Sequence, residues 1–371
     1  MKSRSAVTAA CTVLAASTLL TACGGVTPQA AGSAASTETY DRIASAAPDR
    51  QRAEAEKAAK SEGGTLSLYT SMTADIVGPI TKAFQKDTGV KVEVFRGNSE
   101  TVLQRISQES QARRAGADVV ETNFAEMDAL SKEGILAKFD GASRDRLNET
   151  GRFPDWSATR LNIFHPAWNT DLIKPGQEPK SWEDLAKPEY KGKITLEISD
   201  SDWYANVTTY WLQHGKSQAE VDELWKKIAA NSKAAKGHTT MMQFLTAGQT
   251  AMEAMNYTYI TERAKEQGAP VAYRDASGRS TVPAFPRPNG VGLIKGAAHP
   301  GAAWLFYDWM LNEGQQVIVD LHLSPSTKVP GDKSLDGLTL APFAIDALTD
   351  KKADWDAKYD ALLRGADNME K

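Results

Sequence analysis

Residues 65–120 read TLSLYTSMTADIVGPITKAFQKDTGVKVEVFRGNSETVLQRISQESQARRAGADVV, and the fold class follows from the rhythm of that stretch. Thr65–Tyr69 is a short apolar-rich run of the kind that forms a buried strand. Ile76, Ile80 and Phe84 recur at helical spacing, which predicts an amphipathic helix over Ile76–Lys86, stopped by Gly89. Val90–Val94 is a second strand. Thr101–Arg113 is a second helix with Val102, Leu103 and Ile106 inward, ended by Gly116. Ala117–Val120 is a third strand, and Glu126–Lys132 a short helix. Strand–helix–strand alternation of this kind predicts an α/β fold with a mostly parallel sheet and helices on both faces.

Upstream, the chain changes character. Lys2 and Arg4 precede an apolar run from Ala6 to Leu20, then Leu20-Thr-Ala-Cys23-Gly24. This is the layout of a secretory signal over residues 1–22, and the run is shorter than the roughly 20 apolar residues a membrane span needs. The Leu-x-Ala-Cys stretch resembles the lipobox of bacterial lipoproteins, which implies cleavage before Cys23 and a lipid on it. Residues 24–47, rich in Ala, Ser, Thr, Gly and Gln, are expected to form a flexible tether. Pro48–Lys60 is expected to form a solvated, charged helix ended by Gly63-Gly64. The only other cysteine, Cys11, falls inside the signal, so the folded part has no thiol nucleophile, disulfide or cysteine-held metal. A formal net charge of −4 without long basic runs argues against a nucleic-acid partner.

Downstream, Leu161–Phe164 and Lys193–Ile198 are expected strands. Gln218–Ala230 and Thr239–Ala247 are expected helices, the first with Val221, Leu224, Trp225 and Ile228 inward. Pro283, Pro286, Pro288 and Gly290 mark a chain crossing before a strand at Val291–Ile294. Pro300 opens a strong apolar helix with Leu305, Phe306, Trp309 and Met310 on one face.

Several stretches together resemble the extracellular solute-binding proteins of ABC importers, in the branch that includes ferric-iron binders. They are Thr65–Ser71, Phe84–Val92, Gly116–Val120, Glu178–Leu185 with Pro188–Ile194, and Pro288–Ala303, spanning roughly residues 62–330 in family order. The resemblance implies a type II periplasmic-binding fold of two α/β lobes joined by crossing strands, closing on a small solute. Lobe one is then 62–165 plus 275–330 and lobe two 166–274, with a helical segment, 331–371, packed on one of them. It further implies no enzymatic activity, no cofactor, a monomer, lipid anchoring through Cys23 at the extracytoplasmic face, and delivery of solute to permease subunits in the membrane.

Ligands of open α/β sheets sit beyond the carboxyl ends of the strands, a rule that selects residues without family knowledge. After the first strand come Ser71 and Met72, with hydroxyls and helix-start N–H groups suited to an anion; Ser71 equally suits an N-cap. After the second come Arg96, a clamp for carboxylate or phosphate, and Asn98, which otherwise caps the next helix; after the third, Asn123. In lobe two, Trp203 and Tyr204 follow a polar turn, and Trp156 and Arg160 stand near the first crossing. Ferric-iron binders of this branch carry two adjacent tyrosines where this chain has Met255-Asn-Tyr-Thr-Tyr259. Tyr257 and Tyr259 would hold metal only if ferric iron is the ligand, since phenolate and carboxylate oxygens suit a hard cation. Otherwise they would stack on an organic anion or pack in the lobe's core.

There is no Gly-x-Ser-x-Gly elbow and no phosphate-binding loop, and the five histidines are scattered without metal-ligand spacing. A secreted hydrolase on a similar frame, or a surface lipoprotein that binds another protein, are the competing expectations.

Overall fold

The computed structural model describes residues 28–148, 151–349, 351–364 and 367–368. The expected signal segment, Cys11 and the lipidation site Cys23 lie outside the described residues. The strands are β1 (Thr65–Thr70), β2 (Lys91–Arg96), β3 (Val119–Asn123), β4 (Leu136–Ala137), β5 (Trp156–Asn169), β6 (Ile194–Glu197), β7 (Ser232–Ala235), β8 (Met252–Tyr257), β9 (Val271–Ala272), β10 (Phe285–Ile294), β11 (Ser324–Pro325) and β12 (Asp367–Asn368). Helices α1 (Pro28–Ala44) and α2 (Gln51–Ser61) precede β1. Then come α3 (Ala74–Thr88), α4 (Ser99–Gln111), α5 (Phe124–Lys132), α6 (Ser201–Gln213), α7 (Gln218–Asn231), α8 (His238–Thr246), α9 (Thr258–Glu266), α10 (Pro300–Leu311), α11 (Gly314–Asp320), α12 (Ile345–Leu348) and α13 (Lys352–Leu363).

The sheet runs β12-β7-β6-β8-β5-β10-β3-β1-β2. Two parallel sets, β3-β1-β2 and β7-β6-β8, occupy its ends. Between them the long strands β5 and β10 pair antiparallel with each other and with the neighbouring sets. Each parallel set with its helices is a lobe, and β5 and β10 are the crossing. The strand at β10 begins earlier than the sequence predicts, because Pro286 and Pro288 are inside it. They are tolerated because Phe285–Pro288 has only β5 beside it, while pairing with β3 starts at Asn289. The register shifts between Asn289 and Gly290, where a Cβ would meet the Trp156 ring at 2.3 Å.

Two expectations need correction. From residue 28 the tether is a helix, α1, and its Tyr40 and Ile43 are buried in the core. Tyr40 Oη donates to the Ile294 carbonyl at 3.2 Å. Helix α2 is not solvated all round: Ala55, Ala58 and Ala59 are buried. It crosses α10 so closely that a Cβ on Gly301 would stand 2.4 Å from Ala58 Cβ. Small residues on both helices permit that approach, and the whole of α10 is buried beneath it.

The C-terminal segment touches both lobes. Phe343 packs edge-on to Phe124 of lobe one and to Phe164 of β5, with ring centroids at 5.8 and 6.0 Å. Helix α13 lies on α6 of lobe two: Trp355 and Tyr359 pack on Tyr204, and Tyr359 Oη donates to the Glu197 carbonyl at 2.7 Å.

Candidate functional site

Strands β1, β2 and β3 of lobe one and β6, β7 and β8 of lobe two point their carboxyl ends at a common cavity of about 380 Å³. After each strand a helix begins: α3, α4 and α5 on one side, α6, α8 and α9 on the other, and residues of all six first turns line the cavity. The positive ends of six helix dipoles therefore face the space. Arg160 and Asn162 of β5 and Arg287 of β10 form its floor.

Ser71, Met72, Arg96, Asn98, Asn123, Tyr257 and Tyr259 all stand in the cavity wall. Several are already engaged. Ser71 Oγ accepts from Thr122 Oγ1 at 2.9 Å, and Met72 N donates to Thr70 Oγ1 at 3.0 Å. Arg96 Nε donates to the Met72 carbonyl at 2.8 Å. Asn98 caps α4, accepting from Thr101 N at 2.8 Å. Asn123 Oδ1 accepts from Arg287 Nη2 at 3.2 Å and Asn289 Nδ2 at 2.7 Å.

Trp203 and Tyr204 are not in the wall. The segment read as a polar turn is the first turn of α6, so Asp200, Ser201 and Asp202 reach the cavity while the next two side chains rotate behind it. Trp203 packs between Trp182 and Trp225 inside lobe two, and Tyr204 against Trp225 and Tyr359 of α13. Trp156 is likewise buried, stacked on Phe153 at 3.7 Å. Arg160 does line the cavity, paired with buried Glu121.

The split tyrosines converge. Tyr257 is the last residue of β8 and Tyr259 the second of α9, and the change from strand to helix between them turns both rings to the cavity. The rings are parallel within 6° with centroids 5.8 Å apart. Burial raises the Tyr257 phenol well above its ordinary range, against the pull of Arg287, and pushes Tyr259 up to about 12. Arg287 ties the crossing strand to both lobes. Its Nη1 donates to Asp202 at 2.7 Å, its Nη2 to Tyr257 Oη at 3.0 Å, and its guanidinium lies 5.0 Å from the Phe164 ring centroid.

Sequence reasoning missed a cluster in the lobe-two wall. Glu197 ends β6, Asp200 precedes α6 and His238 opens α8. One ligand atom from each lies within 4.8 Å of the others. His238 Nε2 meets Asp200 Oδ1 at 3.2 Å. Burial raises the Asp200 carboxyl; it would depress His238, but Asp200 and then Glu197 outweigh it. Glu126, across the cavity, is pushed up to about 7 by burial, which Lys352 opposes. The signals in the sequence were carboxylates at a strand's end, Glu197 and Asp200 of the polar turn that follows it, since His238 joins them only through the parallel pairing of β6 and β7.

A family model described as bacterial extracellular solute-binding protein matches residues 69–317. The Fe(3+)-binding periplasmic protein of Serratia marcescens is 26% identical over 269 residues, covering 71% of this chain and 78% of that protein. Iron-bound HitA from Pseudomonas aeruginosa superposes with a TM-score of 0.65 at 23% identity, over 80% of this chain and 99% of that one. AfuA from Actinobacillus pleuropneumoniae, with exogenous fructose-6-phosphate bound, superposes with a TM-score of 0.69 at 21% identity, over 81% of this chain and 99% of that one. At those identities the two solved structures speak for the fold.

Proposed function

The chain belongs to the bacterial extracellular solute-binding protein family and has its type II periplasmic-binding fold, and from that premise we propose that the interlobe cavity captures ferric iron and hands it to an ABC permease. The observation that carries the choice of cargo is the tyrosine pair. Two parallel phenols in one cavity wall, with carboxylates nearby, are an oxygen-rich set for a hard cation. The name of the Serratia relative points the same way. Iron would displace phenol protons that burial holds tightly, so binding releases protons and strengthens as pH rises. Closure of the lobes is favoured by the cargo's greater affinity for the closed cleft. The protein works without a cofactor or enzymatic turnover, as a monomer anchored through a lipid on Cys23 at the extracytoplasmic face.

One observation favours a second reading, an organic anion bearing phosphate or carboxylate. Six helix N-termini converge on the cavity, and the buried Nε atoms of Arg160 and Arg287 have no hydrogen-bond partner. AfuA, of the same fold, carries a sugar phosphate. Titration of the mature chain with ferric nitrilotriacetate separates the two. Iron capture gives a visible tyrosinate-to-iron band that is lost in Tyr257→Phe and Tyr259→Phe. An anionic cargo gives no band, but fructose 6-phosphate or citrate at about a hundred times its dissociation constant stabilises the chain by roughly 2.7 kcal/mol. Silence in both assays would refute both readings of the cargo.

A further inference from the structure

The cluster on the lobe-two wall is more than a paired aspartate and histidine. Glu197 and Asp200 are about 95% buried, yet Asp200 Oδ2 has no hydrogen-bond partner, and neither has His238 Nδ1. A buried carboxylate oxygen left unpaired is costly unless something else meets it. The cluster's ligand atoms lie within 4.8 Å of one another. A first-row ion with bonds of about 2.1 Å would hold neighbouring ligand atoms about 3 Å apart and opposite ones about 4.2 Å apart, so a small contraction brings all three onto one ion.

The carboxylates are also held from behind. Gly237 N donates to Glu197 Oε1 at 2.8 Å, fixing that side chain's rotation. Helix α13 grips both ends of the β6–α6 loop: Tyr359 Oη donates to the Glu197 carbonyl at 2.7 Å, and Ser201 Oγ donates to Asp356 Oδ1. Outer contacts of this kind orient metal ligands and are worth affinity of their own. Tyr257, by contrast, already receives a hydrogen bond from Arg287, which sets it apart from the cluster although its ring lies 4.2 Å from that of His238.

We propose that Glu197, Asp200 and His238 form a separate metal site on the lobe-two wall that takes a divalent first-row transition cation. Two carboxylates and one neutral imidazole balance a double positive charge, and an oxygen–nitrogen set without sulfur suits manganese, iron(II), cobalt or zinc. The remaining coordination positions open to the cavity. The inference shares the cleft with the ferric reading but assigns a cation to different side chains.

The test uses the full mature chain, stripped of metal, and cobalt(II) alone as probe, followed by its visible absorption and by calorimetry. One equivalent is expected to bind with the spectrum of a nitrogen–oxygen site. His238→Ala and Asp200→Asn should each lose more than the roughly 10–100-fold that removal of an outer contact costs, and Tyr359→Phe should fall inside that range. Tyr257→Phe should bind cobalt as the wild type does. Melting of each metal-free variant establishes that it is folded. Absence of binding up to about 1 mM cobalt, or wild-type affinity in folded His238→Ala, would overturn the site. Loss of cobalt in Tyr257→Phe with retention in His238→Ala would also overturn it, while leaving the tyrosine-held cargo standing. Cobalt binding as expected with no ferric–tyrosinate band would support the site and sink the ferric reading alone.

Discussion

Replacing Arg287 with methionine tests the energetics of the cleft floor. Arg287 and Asp202 are almost wholly withdrawn from solvent, their side chains 3% and 15% exposed, and joined at 2.7 Å. Methionine keeps the aliphatic stem against Phe164 but leaves the carboxylate with no cation. Removing one partner of a buried pair costs about 3–5 kcal/mol, because the remaining charge is stranded. The residual exposure of Asp202 places the expectation at the low end, about 3 kcal/mol. At about 2.1 cal/mol/K of unfolding entropy per residue, a chain of 371 residues loses about 1.3 °C per kcal/mol, so a fall of roughly 4 °C is expected. The assay is calorimetric melting of the ligand-free protein, with Arg287→Met/Asp202→Asn as the second arm. Neutralising the stranded carboxylate should recover about half the loss. The same guanidinium is the charge that pulls the Tyr257 phenol down, so in Arg287→Met a ferric–tyrosinate band should require higher pH. A single variant within about 1 kcal/mol of wild type, or a double variant no more stable than the single, would mean that Asp202 is not left as a stranded charge.

Trp203→Ala should destabilise by about 3–5 kcal/mol, as for a buried aromatic, and leave binding by the folded protein unchanged; weakened binding without lost stability would return Trp203 to the cleft. Gly301→Val should cost about 1–3 kcal/mol or more, because its new Cβ would meet backbone, Ala59 N at 2.7 Å, that cannot step aside; an unchanged melting temperature would disprove the tight α2–α10 crossing. His165 is buried and held neutral, its imidazole depressed to about 4. The unfolded chain takes up this proton below about pH 6.5 and the folded chain only near 4, so His165's contribution is full above 6.5 and drains away as pH falls. About 2 kcal/mol should be lost between pH 6.5 and 5, and His165→Gln should flatten that part of the melting-versus-pH curve; an equally steep curve in the variant would exclude His165 as its source.

The sequence made lobe one legible and lobe two much less so. In residues 65–132 the apolar periodicities of strand and helix alternate cleanly, and Gly89 and Asn98 mark helix ends that the structure retains. Helix α6 was hidden because SDWYANVTTYWLQ is dense in aromatic and β-branched residues. Intrinsic preference there leans to strand, and packing against Trp182 and Trp225 overrides it. The residues after β1, β2 and β3 could be named because the ends of parallel strands select them. The Glu197–Asp200–His238 cluster could not, since its members are brought together by the pairing of β6 with β7 rather than by spacing along the chain. Helix α1 was read as tether from a composition of small residues, and only Tyr40 and Ile43 hint that it has a buried side.

The prolines of β10 have a mechanical meaning. An ordinary antiparallel ladder resists twisting because every second residue on each strand contributes a donor that must be stretched. Over Phe285–Asn289 the prolines stiffen β10 by fixing φ, and since only β5 lies beside that run, the donors they lack cost no pairing on the open side. The ladders of the crossing are interrupted at two places, the Asn289/Gly290 shift between β10 and β5 and the His165/Ala167 shift between β5 and β8. A rotation of one lobe on the other would be taken up at these breaks rather than along the proline-stiffened run.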